Sequence, residues 1–597
     1  MRENVISTND DSLIGRVANV DTDRVLIIAD SSEIIQELTV FDLVAIEGNT
    51  PQEFLVGIIE KVKRSIGNPK IIQNGIDDND DSSSEVDETA DELLVLAVDH
   101  DVLQVALIGT FWEVLGSKKK VFKRGAQYFP RVEKQAFFIR KESLEKLMSA
   151  VDNDTPEETK LILGTYGNTN SRAVANGDKL FQRHAALLGS TGAGKSWTVA
   201  SLLEQAAKLK YNNIVLYDLH GEYKTLSADF NKSTTEPIAD YYKIASPGNL
   251  DDKNSIFVPH WLLNKDEMLS LLLDRSDSNA PNQSARFTHH VRELKQEYIT
   301  EHKIQQLDDC LTVDAPIPYS IVKLIERLTE DDEGTKKGSG EKSIKGDWNG
   351  KLTRFISRLN TKIEDKRNAF LFSERDEHNE YSWLEGYASK ILKSDSKSHG
   401  IKVIDFSETP SDILPIVIGV LTRFLYSVQF WRNESERTPI AFVCDEAHIY
   451  LPTTGSSDAD SKISLSIFEK IAKEGRKYGV SLLVVSQRPS DVNATILSQC
   501  NNIISLRLSN YQDQQVVHRL MPDSLSSLAS ILPILDTGEA IVLGDSVLLP
   551  SRIKLNEPKL KPDSATRAFW NEWSNIESKE ESIKNAVESL RRQSRKR

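Results

Sequence analysis

A glycine-rich stretch that leads into a lysine and a serine is the first feature of this sequence that could do chemistry. Residues 189–196, GSTGAGKS, match the spacing G-x-x-x-x-G-K-[ST] in full. The glycines let backbone N–H groups turn toward phosphate oxygens, and the helix predicted to follow adds its positive N-terminal end. We therefore predict an ATP site in which Lys195 reaches the β- and γ-phosphates and Ser196 ligates Mg²⁺. The residues expected to contact the nucleotide are Gly189, Thr191, Gly192, Ala193, Gly194, Lys195, Ser196 and Trp197.

An acidic pair supplies the second half of such a site. The apolar run 440–444 predicts a buried strand, and Asp445 and Glu446 follow it directly. We expect this strand to neighbour the strand that precedes the glycine-rich loop. Asp445 would then hold the Mg²⁺ and its water shell, while Glu446 would polarise the attacking water. The predicted reaction is ATP hydrolysis.

A polar residue and an arginine flank another apolar run. Residues 480–486 predict a strand, and Gln487 at its tip would lie beside the γ-phosphate. In ring ATPases an arginine from the neighbouring subunit completes the site and stabilises the charge of the transition state. Arg476, just before this strand, is the first candidate, with a solvated helix-end arginine as the alternative interpretation. Arg488 and Arg507 are the other candidates.

The strand predicted after the glycine-rich loop and its helix also ends in acidic residues. In YDLHGEY, residues 217–223, Asp218 and Glu222 follow the apolar run. Ligands of α/β sheets bind in the crevice at the carboxyl ends of the strands, so both carboxylates are candidate site residues. They would position water or metal, or couple the nucleotide state to another ligand. A purely structural loop is the alternative.

The order of elements predicts an α/β protein with a parallel sheet. Strands alternate with helices from about residue 161, whereas closely spaced short strands fill the first 150 residues and predict a small β-barrel. The predicted division is a barrel at 1–150 with an acidic insertion at 73–92, a RecA-like ATPase core at 161–264 and 401–556, a helical insertion at 265–400, and a helical tail at 557–597.

Composition limits the classes of function. The chain has 597 residues and a formal net charge of −15, so a nucleic-acid contact would have to be local, as in a lined channel. We find no run of 18 apolar residues and no signal-peptide pattern at the N-terminus, and therefore expect no membrane span. Cys310, Cys444 and Cys500 are widely spaced and form no metal pattern, which fits a reducing cytoplasm.

Taken together, RHAALLGSTGAGKS, YDLHGEY, VPHWLL, CDEAHIYLP and EGRKYGVSLLVVSQRPSDV resemble the HerA branch of the HerA–FtsK ATPases. The resemblance extends from about residue 12 to 556 and includes the β-rich N-terminus. It implies a homohexameric ring that hydrolyses ATP and drives double-stranded DNA through a central pore. It also implies an effector on the barrel side, such as a NurA-type nuclease or a sirtuin-like NAD hydrolase, in DNA-end processing or anti-phage defence.

Such a pore is expected to carry basic residues, and six copies of a few cations would concentrate positive field inside it despite the acidic chain. Candidate lining residues are Arg286, Lys462 and Lys470. A superfamily 2 helicase, suggested by the DEAH tetrad at 445–448, is disfavoured because only about 150 residues follow, too few for a second RecA-like domain. A nucleotide-gated ring scaffold that activates a partner with slow turnover remains open.

Overall fold

The computed structural model describes residues 6–593 except 9, 22–23, 31, 64–100, 115–116, 118, 168–170, 232–233, 308, 338–342, 393–398, 454–458, 565–566 and 576–579. The predicted acidic insertion at 73–92 lies outside the described residues. The chain forms two compact units. Unit 1 comprises residues 1–180, 188–194 and 501–556, and unit 2 comprises residues 181–187, 195–500 and 557–597.

The strands, in chain order, are β1 (Leu13–Val20), β2 (Arg24–Ala29), β3 (Leu43–Glu47), β4 (Glu53–Lys63), β5 (Val102–Glu113), β6 (Lys120–Arg124), β7 (Gln135–Phe138), β8 (Lys160–Tyr166), β9 (Arg172–Asn176), β10 (Ala185–Leu188), β11 (Ile214–Asp218), β12 (Ala239–Ile244), β13 (Ser255–Ile256), β14 (Thr335–Lys337), β15 (Ser343–Lys345), β16 (Ile401–Asp405), β17 (Ile440–Cys444), β18 (Val480–Ser486), β19 (Asn502–Leu506), β20 (Glu539–Gly544) and β21 (Ser551–Leu555).

The α-helices are α1 (Ser32–Glu37), α2 (Lys141–Asp154), α3 (Gly177–Gln182), α4 (Lys195–Ala206), α5 (Lys265–Leu272), α6 (Ala280–Glu301), α7 (Ile321–Glu333), α8 (Thr353–Glu364), α9 (Ala369–Phe372), α10 (Trp383–Ile391), α11 (Leu414–Trp431), α12 (Ala459–Glu474), α13 (Ala494–Ser498), α14 (Tyr511–Leu520), α15 (Phe569–Asn575) and α16 (Glu580–Arg592).

Unit 1 contains the predicted β-barrel. Its strands follow the order β2-β1-β7-β3-β4-β5-β6, and an additional pairing of β2 with β5 closes the first six into a ring. Closure leaves these six strands without a free edge, and their inward side chains, among them Val17, Ile46 and Leu103, are fully buried. The prediction of an N-terminal barrel is confirmed. The rest of unit 1 is an antiparallel set in the order β19-β20-β21-β8-β9.

Unit 2 is built on a parallel sheet whose central strands, β16, β11, β17 and β18, are buried from end to end. The order is β13-β12-β16-β11-β17-β18-β10, and β11 pairs in parallel with both β16 and β17. Parallel sheets need cover on both faces, which explains the continuous apolar runs of these strands. The predicted α/β class is confirmed. All the carboxyl ends of β11, β16, β17 and β18 therefore lie at one edge.

One expectation about this sheet is wrong. We expected the strand before Asp445 and Glu446 to neighbour the strand before the glycine-rich loop, but β18 lies between β17 and β10. The chain enters β18 after β17 through the long helix α12, and a helical crossover does not fix which neighbouring position the next strand takes. Gln487, at the tip of β18, is therefore on the strand next to β10.

The region predicted as a helical insertion is helical, with α5 to α10 and one short hairpin of β14 and β15. Its apolar side chains, such as Phe287, Leu324 and Phe355, are buried. Within the described residues, one helix of unit 2, α11, is long and apolar enough to cross a membrane, but 67% of it is buried inside the protein. Core helices of this kind pass the same test, so it is weak evidence for a span.

Candidate nucleotide site

The glycine-rich loop after β10 depends on glycine at particular positions. Gly192 and Gly194 have φ of 73° and 110°, in the left-handed region that side chains with a Cβ rarely adopt. At Gly189 a Cβ would come within 2.9 Å of the Leu506 side chain. These three positions therefore hold the loop in a tight turn that side chains would prevent. The exposed Thr191 lies between them.

The loop is also anchored by its carbonyl and amide groups within unit 1. The Ser190 N–H donates to the Arg507 carbonyl at 2.8 Å, directly after β19. The Ala193 carbonyl accepts from the Gly538 N–H at 3.1 Å. Arg507, one of the alternative arginine candidates, thus holds the loop through its backbone.

Lys195 and Ser196 open α4 and carry the first polar side chains of the site. Lys195 is 8% exposed; burial lowers its pKa, while the charges of Glu446, Asp445 and Glu222 act in the opposite direction. The Ser196 hydroxyl donates to Glu222 Oε2 at 2.8 Å. The residues predicted from three separate motifs therefore meet at one place in unit 2.

Asp218 organises the loop that presents Glu222. This carboxylate is fully buried at the end of β11 and accepts four backbone N–H groups from residues 220–223, at 2.8–3.2 Å. Burial raises its pKa to about 6, and these hydrogen bonds act against that rise. Because its oxygens serve the loop backbone, Asp218 acts as a positioning residue for Glu222.

Asp445 lies in an acidic cluster that suits a divalent cation. Burial, followed by the charges of Glu446, Asp218 and Glu222, raises its pKa well above the usual range. The donor set, a serine hydroxyl on α4 and the Asp445 carboxylate, consists of the hard oxygen ligands that Mg²⁺ prefers. The residues present therefore fit a Mg²⁺ ion, held by Ser196 and Asp445 as the sequence predicts.

Glu446 has two features expected of a catalytic carboxylate. Its backbone is left-handed, with φ 45° and ψ 44°, which is uncommon for a residue with a side chain and typical of functional sites. Its Oε2 is buried and has no hydrogen-bond partner in the described part of the chain. The nearby His448 Nδ1, 3.3 Å away, forms no hydrogen bond with it, and a buried oxygen without a hydrogen bond carries a desolvation cost that a bound water molecule would remove. This arrangement is compatible with the predicted role of Glu446 as general base.

His448 is a site residue that sequence reasoning did not single out. Its Nδ1 lies 3.3 Å from Glu446 Oε2 and 3.4 Å from the Ser486 hydroxyl. Burial lowers the pKa of His448, while the Glu446 charge acts in the opposite direction. The imidazole therefore links the candidate base to the end of β18, one residue before Gln487. The available signal was its place in CDEAH, two residues after Glu446.

The remaining predicted residues lie at different edges of the unit 2 sheet. Gln487 is half-buried directly after β18, at the edge that carries Lys195. Arg476 is exposed before β18, at the opposite edge, and a seven-residue strand spans roughly 20 Å. Arg476 therefore lies far from the Lys195 of its own chain. Arg488 follows Gln487 and is 68% exposed, with Asp491 at 3.7 Å.

A segment after the last strand packs against the site, and we name residues 557–564 the C-terminal strap. The Lys561 ammonium lies 4.6 Å from the centre of the Trp197 ring. The Asp563 N–H donates to the Glu222 carbonyl at 2.7 Å, and its carboxylate pairs with Lys224 at 2.7 Å. The strap therefore touches both the helix after the glycine-rich loop and the loop that carries Glu222. The sequence predicted only a helical tail here.

The three predicted pore-lining residues have different surroundings. Arg286 is paired with Asp331 at 2.5 Å and is 17% exposed, so it does not offer a free charge. Lys470 lies 5.4 Å from the centre of the Tyr426 ring. Lys462 is exposed on α12.

Residues 161–425 match the family model described as "Helicase HerA, central domain". The chain is 27% identical over 453 residues to a probable helicase of Methanocaldococcus jannaschii, and this match covers 74% of this chain and 75% of the relative. It is 28% identical over 402 residues to the DNA double-strand break repair helicase HerA of Sulfolobus acidocaldarius. This match covers 67% of this chain and 70% of the relative. The HerA of Pyrococcus furiosus is 27% identical over 466 residues, and the match covers 73% of this chain and 76% of the relative.

The chain is also similar to solved structures. VirB4 of Thermoanaerobacter pseudethanolicus is 15% identical, with a TM-score of 0.45, and covers 67% of this chain and 98% of that one. The match of residues 161–425 and the sequence relatives support a HerA-type ATPase, and the assembled motifs are those of a P-loop enzyme that hydrolyses ATP.

Proposed function

We propose that the chain is a hexameric motor that couples ATP hydrolysis to movement of double-stranded DNA and works with an effector enzyme. The observation that carries the hydrolytic chemistry is the buried Oε2 of Glu446, which accepts no hydrogen bond among the described residues and lies at the sheet edge that carries Lys195. The relatives named as DNA double-strand break repair helicases support DNA as the substrate that is moved.

In this proposal each side chain has one task in hydrolysis. Lys195 binds the β- and γ-phosphates, and Glu446 accepts a proton from the attacking water. Mg²⁺, when bound, neutralises charge on the phosphate oxygens. Gln487 contacts the γ-phosphate from β18, and Arg476 of the adjacent subunit stabilises the charge of the transition state.

The test is the steady-state ATPase rate of the full chain with and without linear double-stranded DNA, at a fixed, stated salt concentration because phosphate contacts are salt-dependent. A motor predicts a large stimulation that disappears in Lys195→Ala. A rate that ignores DNA but rises with a partner protein would contradict translocation. That result would support the alternative, a nucleotide-gated ring scaffold that assembles and activates an effector.

The partner belongs to the same proposal. A NurA-type nuclease, a sirtuin-like NAD hydrolase or another effector would bind at the barrel, in DNA-end processing or anti-phage defence in the cytoplasm. Purification of the native protein and identification of what accompanies it tests this. A nuclease in stoichiometric amount supports end processing, and an NAD-cleaving enzyme supports defence. Recovery of the chain alone at every salt concentration would contradict a stable effector complex.

A further inference from the structure

The helical region of unit 2 contains a cluster that the ATPase chemistry does not use. His289, His290 and Glu293 lie on α6, and their nitrogen and oxygen atoms fall within 4.8 Å of one another. We propose that this cluster binds a divalent transition-metal ion, such as Zn²⁺, at a site separate from the Mg²⁺ and ATP site. Its ligands are His289 Nε2, His290 Nδ1 and the Glu293 carboxylate, with water completing the coordination.

The spacing between each histidine and Glu293 is close to that between two ligands of one tetrahedral ion. His289 Nε2 lies 3.1 Å from Glu293 Oε1, and His290 Nδ1 lies 3.4 Å from Glu293 Oε2. Two ligands held at about 2.0–2.2 Å from one tetrahedral zinc ion are themselves about 3.4 Å apart. The two histidines reach the same carboxylate because Glu293 follows them by three and four positions along the helix.

His290 is oriented as a metal ligand would be. Its side chain is only 8% exposed, and Nε2 lies 2.7 Å from Asp331 Oδ2. A carboxylate can only accept, so the shorter contact, with Asp331 at 2.7 Å rather than with the Arg286 guanidinium at 3.1 Å, favours the tautomer in which Nε2 carries the hydrogen and Nδ1 presents a lone pair. Nδ1 is buried and has no hydrogen-bond partner among the described residues. Histidines that bind metal ions usually donate one ring N–H to a carboxylate in this way and bind the ion through the other nitrogen.

The charges around the cluster are compatible with a cation. The Arg286 guanidinium lies 3.1 Å from His290 Nε2, but it is paired with Asp331 at 2.5 Å. Arg327 approaches Glu293 Oε2 at 3.6 Å and also pairs with Glu297 at 2.5 Å. Asp331 thus balances one arginine and Glu297 the other, which leaves the Glu293 charge for the ion.

The two imidazole nitrogen ligands determine which metal ions the cluster prefers. Two nitrogen ligands favour Zn²⁺, Ni²⁺ or Co²⁺, whereas Mg²⁺ prefers oxygen. An excess of Mg²⁺ can therefore occupy the oxygen ligands of the ATP site without competing at the cluster. The alternative is an ordinary surface arrangement of histidine–glutamate pairs with no bound ion, and the same experiment distinguishes the two.

The experiment titrates the full, chelator-treated chain with Zn²⁺ by calorimetry in millimolar Mg²⁺, and with Co²⁺ by visible absorption. We expect one equivalent of Zn²⁺ per chain, and Co²⁺ bands of a nitrogen-containing site. His289→Ala and Glu293→Gln, both partly exposed, should each weaken binding at least tenfold, since losing even a hydrogen-bonding partner of a ligand costs about 10–100-fold. His302→Ala is the matched control, since His302 is exposed at the end of the same helix and outside the cluster, and it should bind as the wild type does.

His290→Ala is a weaker test, because a buried side chain is lost and the helix packing suffers with it. Circular dichroism of the His289→Ala and Glu293→Gln variants establishes that both are folded. The proposal is overturned if the wild type binds no stoichiometric Zn²⁺, or if both folded variants bind it as tightly as the wild type.

Discussion

At the scale of single residues, the candidate site gathers more negative than positive charge. Glu222, Asp445 and Glu446 act on Lys195, and Glu446, Asp218 and Glu222 act on Asp445. Burial and neighbouring carboxylates favour protons on some of these carboxyls: they raise the pKa of Asp445 well above its usual range, and burial together with the Asp405 charge raises that of Asp218 to about 6. A cation bound at Asp445 must therefore displace protons.

The consequence is a pH-dependent affinity for Mg²⁺. A carboxyl with a raised pKa is protonated as the pH falls, so acidification from pH 8 to 6 should weaken Mg²⁺-dependent ATP binding, by up to about tenfold per pH unit for each proton displaced. Titration of a fluorescent ATP analogue with Mg²⁺ at three pH values measures this. Binding without Mg²⁺ is the control for changes at Lys195. An affinity for Mg²⁺ that is the same at pH 6 and pH 8 would rule out proton displacement.

Glu446→Gln separates binding from hydrolysis. The amide keeps the size of the side chain but cannot accept a proton from water, so ATP should bind normally while turnover falls by about 10²–10⁴-fold. The measurements are nucleotide binding and single-turnover hydrolysis. Lys195→Ala is the contrasting variant, which should lose nucleotide binding itself. Substantial turnover in Glu446→Gln would mean that another residue is the general base, and Glu222 would be the next candidate.

At the scale of elements, the C-terminal strap holds the Glu222 loop. Asp563 pairs with Lys224, and Thr225 donates its hydroxyl hydrogen to the Lys561 carbonyl at 2.9 Å. Asp563→Ala removes a half-exposed ion pair, so we expect little loss of global stability, below about 1 kcal/mol. The ATPase rate should nevertheless fall severalfold, because the loop that reaches Ser196 loses one of its supports. Lys584→Ala, in α16 and outside the strap, is the control. Unchanged rates in both variants would mean that the strap is dispensable.

A buried histidine ties the chain before β10 to β18. His184 Nδ1 accepts the Leu482 N–H at 3.0 Å, and burial lowers its pKa to about 4. The unfolded chain takes up a proton near pH 6.5 and the folded chain only near pH 4, so stability falls as pH drops through this window. At pH 5 the loss is about 2 kcal/mol.

His184→Asn tests this. The Asn oxygen can still accept the Leu482 N–H, and Asn tolerates the positive φ of 50° at this position. The variant should lose less stability than the wild type between pH 7 and pH 5, as measured by thermal unfolding at both values. An equal loss in the two proteins would assign the pH dependence to other groups.

Part of this architecture could be predicted from local sequence motifs. The rest depends on contacts between residues that are distant in the sequence, and these could not be predicted. Lys195 and Glu446 were assigned from contiguous residues whose chemistry requires that spacing. The place of β18 between β17 and β10 depends on which strands pair after a long crossover, and neighbouring residues do not encode that. The strap was missed for a similar reason, since Asp563 meets Glu222 across more than 300 residues.

At the scale of the whole molecule, the proposed ring explains why Arg476 lies so far from the nucleotide site of its own chain. An exposed arginine at the opposite edge of β18 contributes to hydrolysis only if another subunit brings its Lys195 there. The ring also reconciles the net charge of −15 with a DNA partner, because a few cations such as Lys462 would be repeated around one channel.

Mixed rings test whether subunits share sites. Arg476→Ala and Lys195→Ala should each be inactive alone, since the first lacks the transferred arginine and the second the phosphate-binding lysine. In an equal mixture with random assembly, about a quarter of the interfaces combine an intact Lys195 with an intact Arg476 from the next subunit, so about a quarter of the wild-type ATPase rate should return. Differently tagged subunits must first be shown to exchange. Exchange without recovery would show that Arg476 does not act across the subunit interface, and Arg488, tested as Arg488→Ala in the same mixture, would then be the next candidate for the arginine supplied between subunits.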